Sequence, residues 1–128
     1  MLDLHSYDYA IIQVVPCAER RESANAVVIL HCLERAFLQS RVHIEERRLL
    51  VLWPDLDLDT IRPHLEAFPK ICEGDPNAGP IARLSRRERF QWLVAPRSTV
   101  LQVSPVHSGM CESPRDTLDE LFRRLVLM

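Results

Sequence analysis

Glycine is almost missing from this 128-residue sequence: there are only three. A glycine-rich phosphate cradle cannot be built from so few. The text also holds no G-x-x-x-x-G-K, G-x-G-x-x-G, H-E-x-x-H or G-x-S-x-G motif, so nucleotide-dependent catalysis by this chain alone is disfavoured. Charge of one sign is lacking too. The formal net charge is -2, which leaves no global basic footprint for non-specific nucleic-acid binding. No apolar run approaches the roughly 20 residues needed to cross a bilayer. The opening MLDLHSYDYAIIQVV carries Asp3 and Asp8 where a secretory leader would be basic. The expected location is therefore cytoplasmic. The four cysteines, Cys17, Cys32, Cys72 and Cys111, form no C-x-x-C pair, which argues against zinc knuckles and redox motifs. Reduced thiols in or near a core are expected, and no residue pattern calls for a cofactor or a metal.

What the chain does contain is ordinary for a soluble fold: 47% hydrophobic and 27% charged residues. Its length suits a single domain over 1–128. YDYAIIQVVP (7–16) and ANAVVILHC (24–32) are rich in aromatic and β-branched types and nearly unbroken in apolar character, as central strands are. Pro16 should end the first. The short charged connection between them predicts an antiparallel hairpin. FLQSRVHI (37–44) alternates and predicts a half-exposed third strand after a tight turn at Leu33-Glu34-Arg35.

Helical signals follow. EERRLLVLW opens with Glu45 and Glu46, where the helix dipole favours acids, and Pro54 stops it. Leu58, Ile61, Leu65, Phe68 and Cys72 step along one helical face, with Gly74 as C-cap and a kink or break expected at Pro69. Ser85 and Glu88 form a capping-box pattern before RRERFQWLVA, which Pro96 ends. TVLQVS (99–104) predicts a fourth strand. Ser113, Pro114 and Asp116 then start a last helix with a buried stripe of Leu118, Leu121, Phe122 and Leu125. Asp119–Arg123 and Glu120–Arg124 are expected as outward i,i+4 pairs. The order β-β-β-α-α-α-β-α predicts an α+β domain: a four-stranded, mainly antiparallel sheet with helices packed on one face.

Three groups of residues bear chemistry. Glu19 and Glu22 lie three apart in the hairpin turn, with Asn25 at the head of the second strand. Such carboxylates serve acid–base work or cation binding, although self-paired turn charges are the commoner use, and Asn25 is expected to tie down the hairpin. Arg83, Arg86, Arg87 and Arg89 crowd a helix start, a setting that suits phosphate or, equally, a solvated face balanced by Glu88. Arg97 and Ser98 precede the fourth strand, while His107 and Ser108 follow it. A strand of about six residues spans roughly 20 Å, so these clusters should sit at opposite ends rather than form one site. Pro96 stiffens the turn that presents Arg97, making it the residue of this stretch expected to matter beyond folding. An internal pair with Glu19 or Glu22, or recognition of an external anion, would each use its fork.

The segments YAIIQVVPCAERRESANAVVIL, PDLDLDTIRPHLEA and GPIARLSRRERFQWLVAPRSTVLQVSPVHSG resemble an uncharacterised bacterial family, domain of unknown function 3037. The resemblance covers nearly the full length. Members tend to carry glycine where this chain has Arg21 and Val27, which implies a less tightly turned hairpin here. Members are often encoded beside a HipA-like kinase, and the resemblance implies such a kinase as partner while assigning no catalytic residue. A non-enzymatic partner or regulator of that kinase is the leading expectation. A small hydrolase or phosphoester-processing enzyme using Arg97, Ser98 and His107 is the alternative. A nucleic-acid-binding module on the arginine cluster comes third.

Overall fold

A computed structural model describes residues 3–17, 22–97 and 100–128, the side chain of Cys17 excepted. The elements are β1 (His5–Cys17), β2 (Glu22–Cys32), β3 (Phe37–Val42), α1 (Glu46–Leu52), α2 (Leu58–Glu73), α3 (Arg86–Leu93), β4 (Leu101–Val103), β5 (His107–Cys111) and α4 (Pro114–Phe122). Two 3-10 turns, Pro76–Ala78 and Pro80–Arg83, link α2 to α3, and a π-helical turn, Arg123–Leu127, extends α4. The class is α+β with an antiparallel sheet, as the pattern of elements predicts.

The sheet runs β3-β2-β1, and β4 and β5 share the far edge of β1. β4 pairs with Ile12–Val14 and β5 with His5–Tyr9, both antiparallel. They act as one edge strand broken in the middle. Ser104 keeps the register: its amide donates to the Ile11 carbonyl at 2.9 Å, and its hydroxyl accepts from the Ile11 amide at 2.9 Å. Pro105, which has no amide hydrogen, makes the break. The expected four strands therefore become five, and His107-Ser108-Gly109 is strand rather than loop. Gly109 allows this pairing because the Tyr7 ring lies across it; a Cβ there would stand 2.6 Å from the Tyr7 hydroxyl oxygen.

Helices cover both faces of the sheet, not one. Every residue of β2 from Ala26 to Cys32 is buried, and a strand buried on both sides requires cover on both. On one face Ile12, Val27, Ile29 and Leu38 pack under Ile61, Leu65 and Phe68 of α2 and Phe90 and Leu93 of α3. On the other, Val28, Leu30 and Cys32 meet Leu118 and Leu121 of α4, with Tyr7, Tyr9, Phe122 and Leu125 at the margin.

Two irregularities adjust the long hairpin. Ile12 faces Val27 but Gln13 faces Asn25, so Ala26 is an extra residue on β2. A second shift falls between Val14 and Cys17, where β1 carries the surplus and passes through Pro16 rather than ending there. The β2–β3 connection is the predicted tight turn; it closes by an amide of Ala36 donating to Leu33 O at 3.1 Å, with Ala36 at φ 49°.

The helix ends follow their sequence signals. Asp57 caps α2 through the Thr60 amide, and Gly74 closes it in the left-handed conformation at φ 73°. α2 continues through Pro69, where a kink or break was expected; its apolar face, seated on the sheet, compensates for one lost hydrogen bond. Ser85 and Ser113 cap α3 and α4. Of the two expected i,i+4 pairs, Glu120–Arg124 forms at 3.6 Å, while Arg123 also takes Glu120 at 2.6 Å and Asp119 turns to Arg41 of β3 at 3.3 Å.

Candidate functional site

α2, the end of α3 and the start of β4 enclose a cleft of about 350 Å³. Its walls are Ile61, Ala67, Phe68, Ile71, Leu93 and Leu101, with Thr60, His64 and Trp92 at the mouth and Arg97 inside. The elements explain each position. Ile61 and Phe68 belong to the apolar stripe of α2. Trp92 lies in the last turn of α3, too close to the helix end to be covered by the core. Pro96 then forces the chain out of the helix, and Arg97 folds back under it.

Arg97 caps α3 from below. Its Nη1 donates to Leu93 O at 2.6 Å and Ala95 O at 3.4 Å, carbonyls that the ending helix leaves without partners. A cation at a helix C-terminus is also favoured by the dipole. The guanidinium carbon stands 5.5 Å from the Phe68 ring centre and 5.3 Å from that of Trp92, within cation–π range of both. Burial pulls the Arg97 pKa below its usual value, the signature of a charge drawn partly out of water. The cavity falls in the range of ligand pockets, roughly 300–1,000 Å³, and has their usual composition: apolar walls with few polar groups.

The other sequence candidates lie apart from this cleft. His107 sits on β5 with its ring 5.3 Å from that of Tyr9, on the α4 side of the sheet, whereas Arg97 lies on the α2 side. Ser108, the next residue of the strand, points the other way and bonds Asp8 at 2.5 Å. Ser98 and Glu19 fall outside the described residues, and Glu22 opens β2 opposite Cys17. Asn25 is turned by the bulge at Ala26 toward the α4 side. There its Nδ2 donates to Leu125 O at 2.9 Å while its Oδ1 accepts from Gln13 at 3.1 Å. It ties the C-terminal turn to the hairpin.

The arginine cluster divides. Arg83, Arg86 and Arg87 are exposed, but Arg89 turns inward, donating to Leu84 O at 2.7 Å and Cys72 O at 3.3 Å. It closes the end of α2 as Arg97 closes α3.

A second, more polar hollow of about 450 Å³ lies between β1, β2 and α3, lined by Ser6, Asp8, His31, Glu34, Arg87 and Gln91 among others. His31, 7% exposed, stacks on Phe90 at 5.1 Å, and among the described residues its Nε2 has no hydrogen-bond partner. Burial lowers its pKa first of all; the Asp8 carboxylate opposes that shift and Arg86 and Arg87 add to it. Sequence reading missed this hollow because its residues come from three separate elements. It also missed Trp92 and His64 as cleft residues. The one available cue was a tryptophan at a helix end just before Pro-Arg.

No curated protein and no solved structure matches the chain. One family model does, over residues 9–126, under the description "Protein of unknown function (DUF3037)". Those residues include all of α2 and α3, the broken edge strand and Arg97, so the cleft lies wholly within the matched region, and the chain belongs to that family.

Proposed function

We propose that the protein is a non-enzymatic partner that binds or regulates a HipA-like kinase, and that the cleft between α2, α3 and β4 receives an apolar segment of that kinase. The observation that carries this reading is Arg97 held against Phe68 and Trp92 inside an apolar hollow. A preformed pocket with a rigid cation and an exposed tryptophan has the composition of an interface hot spot. The kinase itself enters from the family resemblance. The hydrolytic alternative draws no support from the geometry, since the sheet stands between Arg97 and His107.

The test is co-expression with the kinase encoded alongside, followed by size-exclusion chromatography at micromolar concentration. Co-elution is expected. Trp92→Ala, at a residue 44% exposed, should leave the fold intact and weaken the complex by about 30-fold or more, the scale of a hot-spot loss near 2 kcal/mol. Separate elution of the two wild-type proteins would refute the reading.

A further inference from the structure

We infer that the group seated in this cleft carries a carboxylate: the partner presents an apolar side chain beside an acidic group, which Arg97 holds. The inference rests on the docking reading above and names what docks.

The hydrogen bonds of Arg97 are one-sided. Nη1 is committed to the carbonyls of Leu93 and Ala95, whereas among the described residues Nη2 and Nε donate to no group. Those two nitrogens form one edge of the guanidinium, the edge that matches the two oxygens of a carboxylate. The Phe68 and Trp92 rings, both within cation–π range, restrain the guanidinium. Pro96 fixes the backbone behind it, so little entropy is lost on binding.

Charge completes the argument. Among the described residues, those lining the cleft include no Asp or Glu; the ionisable ones are His64 and Arg97. A half-buried cation without a counter-ion attracts an anion more strongly than a solvated one does. A phosphate dianion would need a second cation or a set of backbone amides, and the described lining residues supply no second cation beyond the exposed His64. A monoanion on an apolar body satisfies both the guanidinium edge and the walls of Ile61, Phe68 and Leu101.

The isolated protein is titrated with decanoate and with decanol at neutral pH, following Trp92 fluorescence, with Trp92→Phe assigning the signal. Decanoate should bind about ten- to hundredfold more tightly than decanol, the worth of a charge-assisted bidentate contact. Arg97→Lys should reduce that preference and Arg97→Gln abolish it. The wild-type comparison needs no mutant and so stands even if either variant unfolds. Decanoate should also displace the kinase from the co-eluting complex. Equal affinity for acid and alcohol, with co-elution intact, would overturn the carboxylate and spare the docking reading. A complex that persists with the cleft full of decanoate would make this a site for free acids and overturn the partner as source. Failed co-elution with the acid preference intact would refute the docking reading, and the partner as source with it.

Discussion

Leu118→Ala tests whether α4 is part of the core or a cover laid over it. Leu118 is 0% exposed and packs with Leu121 onto Val28, Leu30 and Cys32, the side of β2 turned away from α2. Removing its branched end takes away buried methyl groups and leaves a hole closed to water. Substitutions of this kind cost about 2–5 kcal/mol, with the larger values where the surroundings cannot collapse. Collapse is limited here: the floor is a strand pinned in register by neighbours on both sides, and Asn25 holds the turn that follows α4. A loss of about 3 kcal/mol is therefore expected. Total stabilities run about 5–15 kcal/mol, so the variant should still fold. For a chain of this size the melting temperature should drop by about 10 °C. Guanidinium titration gives the free energy directly, and an unchanged slope would show that the same surface is exposed on unfolding. A loss below about 1 kcal/mol would refute the reasoning, because a fully enclosed leucine cannot be so cheap. A separate early transition for α4 would refute it differently, by showing that the two faces of the sheet do not unfold together.

Gly109→Ala should destabilise by about 1–3 kcal/mol, since the new methyl displaces Tyr7, and most of that loss should vanish in a Tyr7→Ala background, as a double-mutant cycle would show. His31 has a folded-state pKa below its unfolded one, so its contribution is complete above the unfolded value near 6.5 and fades as pH falls through the folded one. Unfolding free energies measured across mildly acidic pH should thus fall more steeply for the wild type than for His31→Gln; parallel curves would count against it. Burial pushes the Cys72 thiol up to about 12, and with Cys32 and Cys111 it is free and buried, so none of the three should react with Ellman's reagent until the protein unfolds. Asn25→Ala removes two hydrogen bonds and should loosen the last turn, seen as faster carboxypeptidase release from Leu125 onward with the melting temperature lowered by only a few degrees.

Much of this architecture can be read from local chemistry. The β-branched runs around Ile11 and Val27 form strands because few alternatives suit them, and Ser85, Ser113 and Gly74 end helices where their side chains or backbone freedom demand it. The features that escape reading depend on distant neighbours. His107–Cys111 contains no β-branched residue and is a strand because β1 offers it an edge and Tyr7 a cover for Gly109. One surplus residue at Ala26 reverses the face of Asn25, and no alternation pattern displays such a slip. The unbroken apolar run of β2 marks a central strand, but the expected cover is helices on one face; which helices cover each side depended on where the chain returned. Arg97 stood out because Pro96 stiffens its turn; its partners among the described residues are the carbonyls of the helix just ended, which no sequence pattern displays.

The placement of β1 bears on how the protein is made. Residues 5–17 form the strand through which the sheet is organised, paired on one side with β2 and on the other with segments that lie some ninety residues later in the chain. On the ribosome, at about 5–20 residues per second, β1 and β2 emerge first and close their hairpin early. The other edge of β1, apolar and hydrogen-bond hungry, then stays open for several seconds until residues 101–111 clear the exit tunnel. During that interval the nascent chain offers an unpaired strand to any neighbour on the same polysome. Slowing translation between α1 and α3 lengthens this exposure without altering a single native contact, so soluble yield should depend on elongation rate across the middle of the message more than on the stability of the finished fold.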